Sequence, residues 1–107
     1  MVDLAGMWKG ENDQSITLIQ EKQLSPTESQ VIWISRSTIP PIFLNAFCGL
    51  YFSDSNTLKG YWIDIPYHSH LIPLRELQLE VDLNVGVLTL IKSTSSYGTK
   101  KWIKLSD

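Results

Sequence analysis

One stretch limits the possible folds more than any other: Asn45 to Pro66, NAFCGLYFSDSNTLKGYWIDIP. Two aromatic-rich runs flank a polar tetrapeptide, Ser53-Asp54-Ser55-Asn56, which reads as the turn of an antiparallel hairpin. That turn sets Phe52 opposite Thr57. The antiparallel register then pairs Tyr51 with Leu58, Gly49 with Gly60, Phe47 with Trp62 and Asn45 with Asp64. Directly opposed residues share a face of the sheet. One face is therefore Asn45, Phe47, Gly49, Tyr51, Leu58, Gly60, Trp62 and Asp64. The other is Ala46, Cys48, Leu50, Phe52, Thr57, Lys59, Tyr61 and Ile63. Lys59 marks the second face as the outer one, because an unpaired lysine is rarely buried. A slip of one residue would exchange the faces.

The inner face carries a cross-strand glycine pair between aromatic rungs. Missing side chains there mean a bend or a neighbouring ring laid over the gap, or else room for a ligand. Small barrels are usually filled by their own side chains, which favours the covered gap. The outer face is apolar at Ala46, Cys48, Leu50, Tyr61 and Ile63, where a solitary antiparallel sheet is expected to be polar. A contiguous outer apolar patch marks an association surface, so a homo-oligomer is expected.

The rest of the chain fits the same architecture. Gly6-Met7-Trp8-Lys9-Gly10 brackets a tryptophan with glycines in a first strand. Ser15 to Gln20 alternates polar and apolar residues and reads as a strand. Glu21 to Ser29 contains Pro26 and reads as a loop, and Gln30 to Ser35 as a further strand with Val31 and Trp33 inward. Pro40-Pro41 removes two ladder donors and makes Ser37 to Leu44 a connection. Tyr67 to Pro73 reads as a loop with His68 and His70. Leu74 to Leu83 gives the cleanest alternation, with Leu77, Leu79, Val81 and Leu83 on one face and Gln78, Glu80 and Asp82 on the other. Asn84-Val85-Gly86 reads as a turn, Val87 to Lys92 as a strand, Ser93 to Thr99 as a turn and Lys100 to Leu105 as the last strand. About eight short strands at regular spacing, with no helical pattern, predict one all-β domain over residues 1–107: an antiparallel up-and-down barrel.

Charge and composition exclude several function classes. The net charge is −2 and Lys100-Lys101 is the one adjacent basic pair, so no basic patch is expected to capture nucleic acid. No apolar run approaches the ~20 residues of a membrane helix, and no membrane partner is expected. No stretch at the start of this chain has the pattern of a signal peptide, which makes cytoplasmic the expected location. A single cysteine, Cys48, makes no intrachain disulfide.

The side chains suited to chemistry are few. Asn45 and Asp64 close the inner face at one rim, where they fix a ligand's polar group or hydrogen-bond the rim backbone. Trp33, Phe47, Tyr51 and Trp62 line a pocket or form plain core. His68-Ser69-His70 sets two imidazoles on one side of a loop without a third metal ligand marked, so no metal site is predicted. Cys48 sits mid-strand on the outer face and reads as packing. Glu76 and Glu80 read as solvated. No nucleophile elbow or phosphate loop is present. No enzyme activity and no cofactor are predicted.

At these residues the chain resembles a family. Gly6-Met7-Trp8 matches the G-x-W signature of the calycin barrels, the lipocalins and avidins. The ordered set Gly6, Trp8, Gln20, Trp33, Asn45-Ala46-Phe47-Cys48-Gly49, Gly60-Tyr61-Trp62-Ile63-Asp64-Ile65-Pro66 and Leu88-Thr89-Leu90 is similar to small bacterial lipocalin/avidin-like barrels. Ile19 stands where that pattern has arginine, and the usual Gly-Gly before the second strand is absent. The resemblance implies that a basic residue of the last strand, Lys101 or Lys104 here, packs over Trp8 and closes the barrel bottom. It implies no biotin binding, since the polar set of avidins is not recognisable. Two function classes follow. The first is a non-enzymatic binding module with a small apolar ligand in the lumen, lined by Trp33, Phe47, Tyr51 and Trp62 and anchored by Asn45 or Asp64. The alternative is a homo-oligomeric interaction or assembly module with a filled barrel.

Overall fold

The computed structural model describes residues 1–40, 42, 44–65, 75–94 and 97–106, with Ser106 as backbone only. The described residues form eight strands and no helix: β1 (Gly6–Gly10), β2 (Ile16–Gln23), β3 (Glu28–Arg36), β4 (Leu44–Phe52), β5 (Thr57–Ile65), β6 (Glu76–Asp82), β7 (Val87–Ser93) and β8 (Lys101–Ser106). Each strand pairs antiparallel with the next, and β8 returns to β1, giving a closed up-and-down barrel. Closure leaves each strand a neighbour on both sides, which is how an all-β domain avoids exposed edges.

The central hairpin has the register that its residues dictate. Phe52 faces Thr57, Gly49 faces Gly60, Phe47 faces Trp62 and Asn45 faces Asp64. Its turn closes at Asn56, with φ at 52°, a left-handed conformation that asparagine tolerates. The glycine pair is covered and is not a void. A Cβ on Gly49 would lie 2.7 Å from Phe47 Cζ and closer still to the Lys59 carbonyl oxygen. The Phe47 ring and the close backbone approach together use the missing volume.

Other boundaries differ from the sequence reading. Glu21 to Ser29 is not one loop: β2 runs on to Gln23 and β3 begins at Glu28, with Gln23 opposite Ser29. Gln20 to Gln23 are all exposed, so they carry no hydrophobic alternation; pairing with β3 makes them strand. Leu83 leaves β6 and joins a four-residue turn ending at Gly86, whose φ is 72°. The Asp82 carboxylate holds that turn, accepting the Asn84 and Val85 amides at 3.0 and 3.4 Å. Pro41, Leu74 and the loop with His68 and His70 lie outside the described residues.

Inward rows from all eight strands build one core. Trp8, Trp33 and Trp102 are fully buried, with Phe47, Leu58, Leu77, Leu79 and Leu88 around them. Trp33 stacks on Phe47 at 4.3 Å and lies 5.8 Å from Trp102. The N-terminal segment seals one end. Leu4 is buried, its carbonyl accepts the Trp8 indole N–H at 2.8 Å, and the Val2 amide donates to the Leu83 carbonyl at 2.8 Å. Of the two lysines offered by the last strand, Lys104 takes the place over Trp8. Its ammonium lies 5.2 Å from the ring centre and donates to the carbonyls of Asp3 and Ala5. A cation over an indole face, anchored on two carbonyls, ties β8 to β1 where the barrel closes.

Candidate functional site

Asn45 and Asp64 sit at the end of the barrel opposite the N-terminal seal. The β1–β2 turn and the β7–β8 connection arrive at the same end. There the Asp13 carboxylate accepts the Ser15 amide and hydroxyl at 3.0 and 2.7 Å, which fixes the turn. Asp13, Ser35, Asn45, Trp62, Asp64, Tyr97 and Gly98 surround a recess of about 120 Å³. Its walls combine two aromatic rings, Trp62 and Tyr97, in an edge-to-face pair at 4.8 Å, with carboxylates at the rim.

Asn45 is the hub of this end, and all of its hydrogen-bonding capacity is used inside the protein. Its Oδ1 accepts the Trp33 indole N–H at 3.2 Å and the Tyr97 hydroxyl at 2.6 Å. Its Nδ2 donates to the Ile63 carbonyl at 3.1 Å and to Asp64 Oδ1 at 3.4 Å. A buried amide satisfied on both sides positions its neighbours. Asp64 is half-exposed, and Arg75 Nη1 lies 3.7 Å from its Oδ2. The same guanidinium stands 5.0 Å over the Trp62 ring.

Burial pushes the Tyr97 phenol far above the ordinary tyrosine range, and the nearby carboxylates of Asp13 and Asp64 push it the same way. Both effects penalise a phenolate. The protonated phenol is the form that donates to Asn45 Oδ1.

The four aromatic residues expected to line a pocket do not act as one set. Trp33 and Phe47 are packed against each other in the core. Trp62 reaches the recess, and its buried indole N–H has no acceptor among the described residues. Tyr51 lies six positions along β4 from Asn45, roughly 20 Å away at strand rise, with its hydroxyl on Asn56 Oδ1 at 3.3 Å. Tyr97, Asp13 and Ser35 escaped the sequence reading. The one signal for Tyr97 was a large aromatic within an otherwise small-residue turn. Asp13 carried only a turn signal; Ser35 follows Val31 and Trp33 at period two, which signals its inward face, and Thr17 donates to its hydroxyl at 2.9 Å.

The second candidate is the outer wall of β1 to β5. Register sets Met7 beside Leu18, Leu18 beside Ile34, Ile34 beside Ala46 and Ala46 beside Ile63. The next rung runs Gln20, Ile32, Cys48, Tyr61. Flanking rungs add Leu44 and Ile65 at one end and Leu50 at the other. Ile34 is 56 % exposed, Tyr61 49 %, Leu18 46 % and Ile32 45 %. The central two rungs carry no charge.

Among the described residues no group of His, Cys, Asp and Glu is arranged to hold a metal ion. Cys48 is a free, exposed thiol on the apolar wall. Comparisons with protein-family models, curated proteins and solved structures find no match. The closed eight-stranded antiparallel barrel is compatible with a calycin-like fold.

Proposed function

We propose that the protein is a lipocalin/avidin-like barrel that works without catalysis, as a protein-interaction module with a filled interior. One observation carries this reading: the apolar outer wall across β1 to β5, whose two central rungs carry no charge. The packed aromatic core and the ring-covered glycine pair support it by removing room from the lumen. Lys104 over Trp8 supports the calycin relationship, because that contact is what the family pattern asks of the last strand. The test is native mass spectrometry of protein complexes isolated from the natural host. Wild type is expected in complexes that Ile34→Lys, still folded, has lost. A monomeric wild type carrying an apolar molecule, or complexes unaffected by Ile34→Lys, overturns the reading.

A second reading rests on the recess at the open end. At about 120 Å³ it is smaller than the ~300 Å³ and upward of ordinary ligand pockets, so it suits a very small molecule and not a large apolar one. Asp13 and Asp64 favour a ligand with a positively charged or hydrogen-bond-donating group held against Trp62 and Tyr97. Calorimetry with small ammonium and guanidinium ions tests it, with binding lost in Asp64→Asn; no heat at millimolar ligand counts against it.

A further inference from the structure

We propose that the occupant of the apolar wall is a second copy of this chain, joined about a two-fold axis that passes near Ile32, Ile34 and Cys48. This rests on the interaction reading above and names the partner. The area argues for it. Met7, Leu18, Ile32, Ile34, Leu44, Leu50, Tyr61 and Ile65 are each 36–56 % exposed. Together they expose on the order of 700 Å², most of it apolar, at or above the ~300–600 Å² of a typical monomer's largest patch and near the ~800 Å² per partner of a standard interface.

The arrangement of charge argues for a protein partner. The central rungs are uncharged, while Lys22, Glu28 and Lys59 border them at one end and Arg36 at the other. An apolar centre with a polar rim is the anatomy of a protein interface. A lipid bilayer fits poorly, because a barrel that spans one is apolar around its whole circumference. Here Glu76, Glu80 and Asp82 of β6, with Lys92 and Lys101, face outward on the other wall. A self-complementary patch closes as a dimer about a two-fold axis and leaves no apolar surface to propagate.

The position of the axis gives the proposal a handle. Cys48 lies within about one strand spacing, ~5 Å, of the centre of the wall, so the two Cys48 thiols fall within roughly 10 Å of each other.

The experiment is sedimentation equilibrium on the full chain at up to about 100 µM, where even a micromolar dissociation constant leaves mostly dimer. Wild type is expected as a dimer. Ile34→Lys and Ile32→Lys are each expected to weaken self-association about a hundredfold, since each buries a charge at the centre of the contact. Ile91→Lys, at an exposed β7 position on the other wall, is expected to leave the dimer intact. A short bis-maleimide is expected to link two chains through Cys48, and to fail with Cys48→Ser. A monomer at about 100 µM, or a dissociation constant that Ile34→Lys leaves unchanged, overturns the proposal. A monomeric wild type whose host complexes are still abolished by Ile34→Lys overturns the second copy and leaves the interaction reading standing.

Discussion

The two walls of the barrel are alike inside and unlike outside. On β2 to β5 the inward residues include Ile19, Val31, Trp33, Phe47, Leu58 and Trp62; on β6 to β8 they include Leu77, Leu79, Val81, Leu88 and Trp102. Both sets are buried against one another. Outward, β3 shows Ile32 and Ile34 where β6 shows Gln78, Glu80 and Asp82. The inner rows are fixed by the need to fill one small barrel, which acts on every strand equally. The outer rows are free of that constraint, and the two walls differ there in polarity. Glu80 and Asp82 suit water, while Ile32 and Ile34 suit a surface that removes them from it.

The difference breaks or sharpens under substitution. Inward changes should be costly on both walls. Trp33→Ala removes a fully buried indole that stacks on Phe47, and a loss of about 3–5 kcal/mol is expected. Leu79→Ala on the charged wall should cost about 2–5 kcal/mol. Urea unfolding measures both; a small loss at either position would show that the walls do not share one core.

A comparable loss is expected at the hub, there from hydrogen bonds and not from packing. Asn45→Ala leaves the Trp33 indole and the Tyr97 hydroxyl without their acceptor, and about 1–3 kcal/mol should go for each donor that finds no substitute. The same denaturation experiment reads it, and retention of full stability would deny the amide its positioning role.

Alkaline pH tests the same contact from the other side. The Tyr97 phenol is raised in the folded protein, so the unfolded chain ionises first, near pH 10. Its contribution is complete below that pH and drains away as pH climbs toward the folded value. Stability should therefore fall above about pH 10, and less steeply in Tyr97→Phe. Tyr51 is raised as well, by burial and by Glu21, so the Phe variant keeps part of the slope. An unchanged slope in Tyr97→Phe would place the buried phenol elsewhere.

The smallest folding effect belongs to the outer rows, and in the monomer the two walls should behave alike. Ile34→Lys and Glu80→Gln should both change the monomer's folding free energy by no more than about 0.5 kcal/mol, since both positions face outward. Thermal melts at low protein concentration check this. A large loss for Ile34→Lys without any partner would mean that the residue serves the fold itself.

Much of the architecture was legible because it is local. Strand character follows from period-two alternation, as in Leu77, Leu79 and Val81, and the hairpin register follows from one turn, Ser53 to Asn56. The apolar outer rungs on β3, β4 and β5 were legible for the same reason. Illegible were features without a local pattern. Gln20 to Gln23 lack alternation and become strand through β3 alone. Ile91 sits at the irregularity where Gln78 and Leu79 shift register against β7, and this turns it outward. Tyr97 meets Asn45 from 52 residues away, and nothing in the turn around it announces that partner.

By itself, then, the sequence determined the number of strands, the central register and the faces of the regularly alternating strands, because each depends on neighbours within one hairpin. Only the tertiary structure decided that β8 meets β1 with Lys104 above Trp8, and that Asn45 is saturated by Trp33, Tyr97 and Ile63. The closed barrel also joined the outward residues of five strands into one apolar wall. Those outcomes depend on how the sheet curls and closes, a long-range property set by the packing of all the inward rows at once.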